Sequence, residues 1–291
     1  MTASPRIAPQ AAGRLDSLFR VALWVFIGTI AFSLAGSLFL KLFPESMVFF
    51  GPYYPTLVKA PTWMYMALLP VLSVLLYAPV LGWRRMAFFA VWGAVIGGMS
   101  ELVGTTTGFP FGAYEYTSWL GPKLFGHVPY FIPLSWFAMS IISLDLAQRV
   151  TGSRLGRIAL GALFMVIWDV SLDPAMSRAF PFWTYPEGGF FYGMPLSNWF
   201  GWFGVSLVIL SGYEFIGGGL PVSRRWAPVL YLLNALFPLL LSPLYGLYGA
   251  FVIGALALAI PFLLLYFRRP AASGSVRTEP REPAPNAPAR T

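Results

Sequence analysis

The sequence predicts an all-α protein, a polytopic membrane helix bundle of about eight transmembrane helices. Three observations carry that prediction. Of the 291 residues, 57% are hydrophobic and only 10% are charged, where a soluble domain carries about a quarter charged residues. Several apolar runs reach the roughly 17–25 residues needed to cross a bilayer. Fifteen of the nineteen Lys and Arg residues fall on one side of those runs, the bias expected of cytoplasmic segments.

In chain order, residues 1–15 are rich in Pro, Ala and charge and read as a disordered N-terminal segment. They lack the charged start, short apolar core and small-residue cleavage site of a signal peptide, so the first apolar run is expected to remain as a span. The membrane domain runs over 16–269, with spans near 20–40, 62–82, 86–104, 128–147, 156–172, 196–216, 226–243 and 246–267. Fusing the last two into one helix gives about 63 Å of length at 1.5 Å per residue, too long for one crossing. Ser242-Pro243 supplies the break. Residues 270–291 read as a disordered tail. With both termini cytoplasmic, only Lys41, Lys59, Lys123 and Arg178 fall on the outer side. This multi-pass cell-membrane topology, with the lipid bilayer as partner, accounts for the net charge of +8 without a nucleic-acid partner.

Two outer connections are long, about 105–127 and 173–195: TTTGFPFGAYEYTSWLGP lies in the first, and DPAMSRAFPFWTYPEGGFFYGMP forms the second. Connections of that length without evident secondary structure are functional or disordered. Their aromatic content favours the former, folded over the outer helix ends.

The absence of cysteine excludes disulfides, thiolate metal sites and cysteine nucleophiles. A single histidine, His127, excludes the usual multi-histidine metal cages; near the outer start of the fourth span it reads as an interfacial hydrogen-bonder with no assigned role. No metal site or cofactor is expected.

The acids are the informative minority. An acid at mid-membrane costs about 2.5–3.5 kcal/mol on insertion scales, which makes intramembrane acids functional candidates. Asp145 and Glu214 lie near cytoplasmic ends and read as structural, Asp145 with Arg149 one turn on as its ion-pair partner. Glu101, Asp169 and Asp173 instead end spans at the outer face, with Glu115 and Glu187 in the aromatic connections above. Asp169 and Asp173 are four apart and share a helix face; a capped, solvent-wetted helix end is the plainer reading of that pair. Gly93, Gly97 and Glu101 also step by four, a small-residue face onto which another helix can pack. Asn198 opens the sixth span, placed either to cap it or to orient a water.

Aromatic residues make up 18% of the chain. An interfacial belt explains many of them, but not their concentration near the acids, including Tyr114, Tyr116, Trp168 and Tyr192. An aromatic-walled cavity that holds carboxylic acids suits carbocation chemistry on a polyene. An acid in apolar surroundings can keep its proton, and aromatic faces stabilise the cation that follows.

Four motifs in order, ELVGTTTGFPFGAYEY (101–116), VPYFIPLSWF (128–137), WDVSLDPAM (168–176) and FYGMPLSNWFGW (191–202), resemble those of the CruF-type carotenoid hydratases. The likeness covers about 95–205, and the flanking spans agree only in being hydrophobic. It implies a cofactor-independent hydro-lyase of carotenoid biosynthesis. Such an enzyme adds water across the terminal C1=C2 bond of an acyclic carotene end such as that of lycopene, γ-carotene or bisanhydrobacterioruberin. Other carotenoid biosynthesis enzymes are then conceivable partners. On the residues themselves, Asp169 is expected as proton donor, with Asp173 or Glu101 as base or hydrogen-bond partner. Tyr114, Tyr116, Trp168 and Tyr192 are expected to line the pocket with Glu115 and Asn198.

Three rivals stand beside this reading. A carotene cyclase shares the protonation step and differs in pocket shape. A membrane prenyltransferase would use D-x-x-x-D for Mg²⁺ and diphosphate, yet only Lys123 and Arg178 are near to bind phosphate. A carotenoid-binding protein has no need of clustered acids.

Overall fold

The computed structural model describes residues 9–268. Eight helices in it are long and apolar enough to cross a membrane. They are α1 (Pro9–Leu42), α2 (Tyr54–Leu81), α3 (Trp83–Thr107), α4 (Phe131–Val150), α5 (Arg154–Pro174), α6 (Leu196–Ser211), α7 (Ala227–Leu244) and α8 (Tyr248–Phe267). Each of the eight expected spans has its helix, and the break between the last two falls at Tyr245–Leu247. Of the segment expected to be disordered at the N-terminus, residues 9–15 already belong to α1. The remainder of that segment and the tail 270–291 lie outside the described residues.

Peripheral α1 shows how apolar sequence becomes packing. Phe19, Leu23, Phe26 and Ile30 are buried at steps of four, three and four, which lays one stripe against the bundle. Val21, Trp24 and Val25 remain exposed on its other faces, as suits a helix surrounded by lipid tails. The centre is α4, buried without interruption from Trp136 to Ala147. Helix α3 approaches it through the expected small-residue face: a Cβ on Gly97 would lie 2.4 Å from the Trp136 ring. Without glycine there the two backbones could not close to this distance.

The two ends of the bundle differ in chemistry. At the end where α2, α4 and α6 finish, buried Asp145 accepts from Tyr77 Oη (3.1 Å), Arg149 Nε (3.0 Å) and the Arg224 amide (2.7 Å). Glu214, in the π-helical turn Gly212–Ile216 after α6, accepts from Arg157 Nε and Nη2 at 2.8 and 2.7 Å. Both acids are thus structural, as their positions in the sequence suggest. The opposite end carries the two aromatic connections. Each folds back over the helices, and short ladders hold them: β1 (Glu115–Tyr116) pairs antiparallel with β4 (Trp183–Thr184), and β2 (Lys123–Leu124) with β3 (Val128–Pro129). The first ladder joins one connection to the other and sets the site's roof.

Candidate functional site

Beneath that roof lies a cavity of about 70 Å³. A single water needs about 10–15 Å³ on this measure, so there is room for a few waters or the tip of an apolar chain. Glu101 from α3, Asp169 and Asp173 from α5, and Asn198 from α6 all line it. The helix that carries both aspartates runs on into a π-helical turn, Ala175–Ala179, a feature frequent at functional sites.

Glu101 is buried and accepts three hydrogen bonds, from Tyr116 Oη (2.8 Å), Trp136 Nε1 (2.8 Å) and Tyr114 Oη. Tyr114 reaches it because Gly104 leaves space; a Cβ there would sit 2.7 Å from Phe111 and 2.9 Å from the Tyr114 hydroxyl. Asp173 also accepts three, from Trp183 Nε1 (2.9 Å), Asn198 Nδ2 (3.1 Å) and Tyr185 Oη. Asp169 differs. Among the described residues its carboxyl takes one side-chain hydrogen bond, from Asn198 Nδ2 at 3.0 Å. One amide group therefore bridges two buried carboxyl groups, one richly solvated by protein donors and the other sparsely.

The three phenols among these donors hold their protons. Burial pushes the Tyr114, Tyr116 and Tyr185 phenols, all in the connections outside the helices, well above the usual tyrosine range. The charge of Glu101 beside the first two, and of Asp173 beside the third, acts in the same direction. The cavity wall is indole-rich: Trp136 stacks on Trp202 with ring centroids 4.1 Å apart, and Trp168 meets Trp202 edge-on at 5.7 Å.

Of the residues expected at the site, Glu101, Asp169, Asp173, Asn198, Tyr114, Tyr116 and Trp168 line this cavity. Glu115 and Tyr192 do not. Side chains alternate along a strand, so β1 turns Tyr116 inward and leaves Glu115 exposed. Tyr192 takes a left-handed backbone (φ +54°) and accepts the Ala250 amide at 3.0 Å, tying the connection to the start of α8. Glu187 and His127 are likewise exposed. The sequence reading placed Trp183 and Tyr185 among the aromatics near the acids without assigning them to the site, and it passed over Trp136. For Trp136 no signal exists until α3 and α4 are paired.

Among the described residues, no Lys or Arg lines the cavity. Lys123 Nζ donates to the Tyr116 carbonyl and Arg178 Nε to that of Tyr192. Among the described residues, no three of His, Asp and Glu come together in a way that could hold a metal ion.

Comparisons with known proteins show the family of this chain. A family model described as "Carotenoid biosynthesis protein" matches residues 62–261, which include every cavity-lining residue named above. A bisanhydrobacterioruberin hydratase from Haloarcula japonica is 36% identical over 135 residues, 44% of this chain and 45% of that protein. The match spans less than half the length of that relative. No solved structure matches.

Proposed function

This chain belongs to the carotenoid biosynthesis protein family, and from that premise we propose that it hydrates the terminal C1=C2 double bond of an acyclic carotene end group. The observation that carries the reading is the inequality of the bridged pair, one carboxyl with three donors beside one with a single donor. Hydrogen bonds given to a carboxylate favour its charged form. Asp173 is therefore suited to be the base, and Asp169 to keep a proton and act as acid.

Asp169 transfers its proton to C2 and leaves a tertiary cation at C1. Indole faces of Trp136, Trp168 and Trp202 stabilise that charge. A water adds through oxygen to C1, and its surplus proton passes to Asp173; return of that proton to Asp169 completes the cycle. The sum is one water added, with no change of oxidation state and no cofactor required. Asn198 holds the two carboxyl groups in register, and Glu101 anchors Tyr114, Tyr116 and Trp136 as the rest of the wall.

The relative named above, a hydratase, supports the reaction type. The engagement of Lys123 and Arg178 with backbone carbonyls argues against a diphosphate site. The segregated basic residues favour both termini on the cytoplasmic side and the acid cavity on the outer side. The test is expression in a lycopene-producing host with pigment analysis by liquid chromatography and mass spectrometry. A product heavier by one water, lost in Asp169→Asn, is expected. A new isomer of unchanged mass would mean cyclisation, and a prenyl-sized gain would mean transfer; either would overturn hydration.

A further inference from the structure

A second, larger hollow of about 400 Å³ lies beside the acid cavity, within the roughly 300–1,000 Å³ of typical ligand pockets. Phe32, Gly36 and Phe39 of α1 form one wall, Leu57 of α2 another, and Phe180 and Tyr245 close one side with their rings edge-on at 5.2 Å. None of its lining residues carries a formal charge. Phe32 and Phe39 are also substantially exposed on the outside of α1, so the hollow opens toward the surface that faces lipid.

Its inner end meets the acid cavity. Thr62 and Phe237 line both spaces. The Thr62 hydroxyl is spent on the Val58 carbonyl of its own helix at 2.8 Å. Phe237 packs against Tyr65, another acid-cavity residue, with centroids 5.1 Å apart. The 70 Å³ acid cavity is too small to take more than a chain's tip, so a long substrate must lie elsewhere.

We propose that this hollow is the binding channel for the conjugated chain of the substrate, entered from the bilayer between α1 and α2, with Thr62 and Phe237 as the threshold to the acids. The proposal rests on the carotene reading above. The lining shared with the acid cavity and the flat aromatic walls favour a polyene over the saturated tails of membrane lipids.

Gly36 offers a clean test, because no atom lies within 4 Å of a Cβ placed there. Gly36 lines the hollow and not the acid cavity, so Gly36→Phe adds a ring at the channel wall and leaves the acids untouched. The full chain in lipid nanodiscs, carrying Asp169→Asn so that nothing is converted, is titrated with lycopene. Binding is followed by the circular dichroism induced in the polyene. The expected result is tight binding before the channel is blocked and at least about tenfold weaker binding with Gly36→Phe, equivalent to about 1.4 kcal/mol. A short branched alkene that mimics only the end group should bind equally to both. Gly36→Leu repeats the test should the phenylalanine variant fail to fold. Unchanged lycopene affinity in the blocked variants, absence of lycopene binding to the unblocked protein, or equal competition by a saturated chain of the same length would each overturn the channel. Because the readout needs no turnover, polyene binding here together with no hydrated product from the unsubstituted protein in the pigment assay would refute the hydratase reading and still support the channel.

Discussion

Replacing each bridged aspartate by its isosteric amide separates acid from base. Asp169 takes one hydrogen bond, from Asn198. In Asp169→Asn the new amide oxygen can accept that bond, so the expected stability cost is below about 1 kcal/mol, no more than one ordinary hydrogen bond. Asp173 takes donors on both oxygens: Trp183 Nε1 on Oδ1, and Tyr185 Oη with Asn198 Nδ2 on Oδ2. In Asp173→Asn one oxygen becomes an NH₂ group. Facing Trp183 it meets a group that can only donate. Facing the other side, Tyr185 can rotate to accept, but the Asn198 amide stays opposed. One hydrogen bond to a charged acceptor is lost either way, about 1.5–3 kcal/mol. Activity behaves differently: removal of an acid or a base costs about 10²–10⁴-fold, so both variants should be nearly inactive. Chemical unfolding in detergent beside pigment analysis reads both quantities. An Asp169→Asn protein that keeps its activity, or is destabilised as much as Asp173→Asn, would refute the assignment of roles.

Gly97→Leu forces a side chain into the Trp136 ring 2.4 Å from the Cβ position. Overpacking of this kind costs about 1–3 kcal/mol and moves the indole off Glu101, so both the melting temperature and activity should fall. Arg157→Ala leaves Glu214, 1% exposed, without its paired guanidinium. Since Arg157 is itself partly exposed, the loss should sit at the lower end of about 3–5 kcal/mol, measured by unfolding. The tyrosines give a pH signature. With Tyr114, Tyr116 and Tyr185 raised in the folded state, the unfolded chain releases these protons first. Stability should therefore be insensitive to them below about pH 10, the ordinary tyrosine value, and should fall as pH rises above it. Denaturant midpoints at increasing pH test this, and Tyr→Phe at the three positions should flatten the decline.

Much of the site was legible because a membrane makes polar residues expensive. Acids within apolar runs stand out, and Asp169 and Asp173 share a face by helix geometry alone. The errors arose in the connections, where nearness in sequence is a poor guide to direction. Glu115 and Tyr116 are adjacent, yet β1 sends one outward and the other to Glu101. Tyr192 sits in an aromatic cluster, yet its backbone turns it toward α8.

Composition and spacing alone were enough for the membrane fold class, the eight spans, the segregation of basic residues and the choice of end for the acids. Each follows from the cost of placing charge or unpaired backbone in hydrocarbon, a cost set by composition and spacing. How many donors each acid receives was settled by folding, because Trp136, the neighbours Trp183 and Tyr185, and Asn198 come from three separate segments. Folding likewise brought Thr62 and Phe237 to line both the α1–α2 hollow and the acid cavity. Those contacts depend on which helices pack together and on how the two connections pair, and interactions between distant segments leave no periodicity in a single chain.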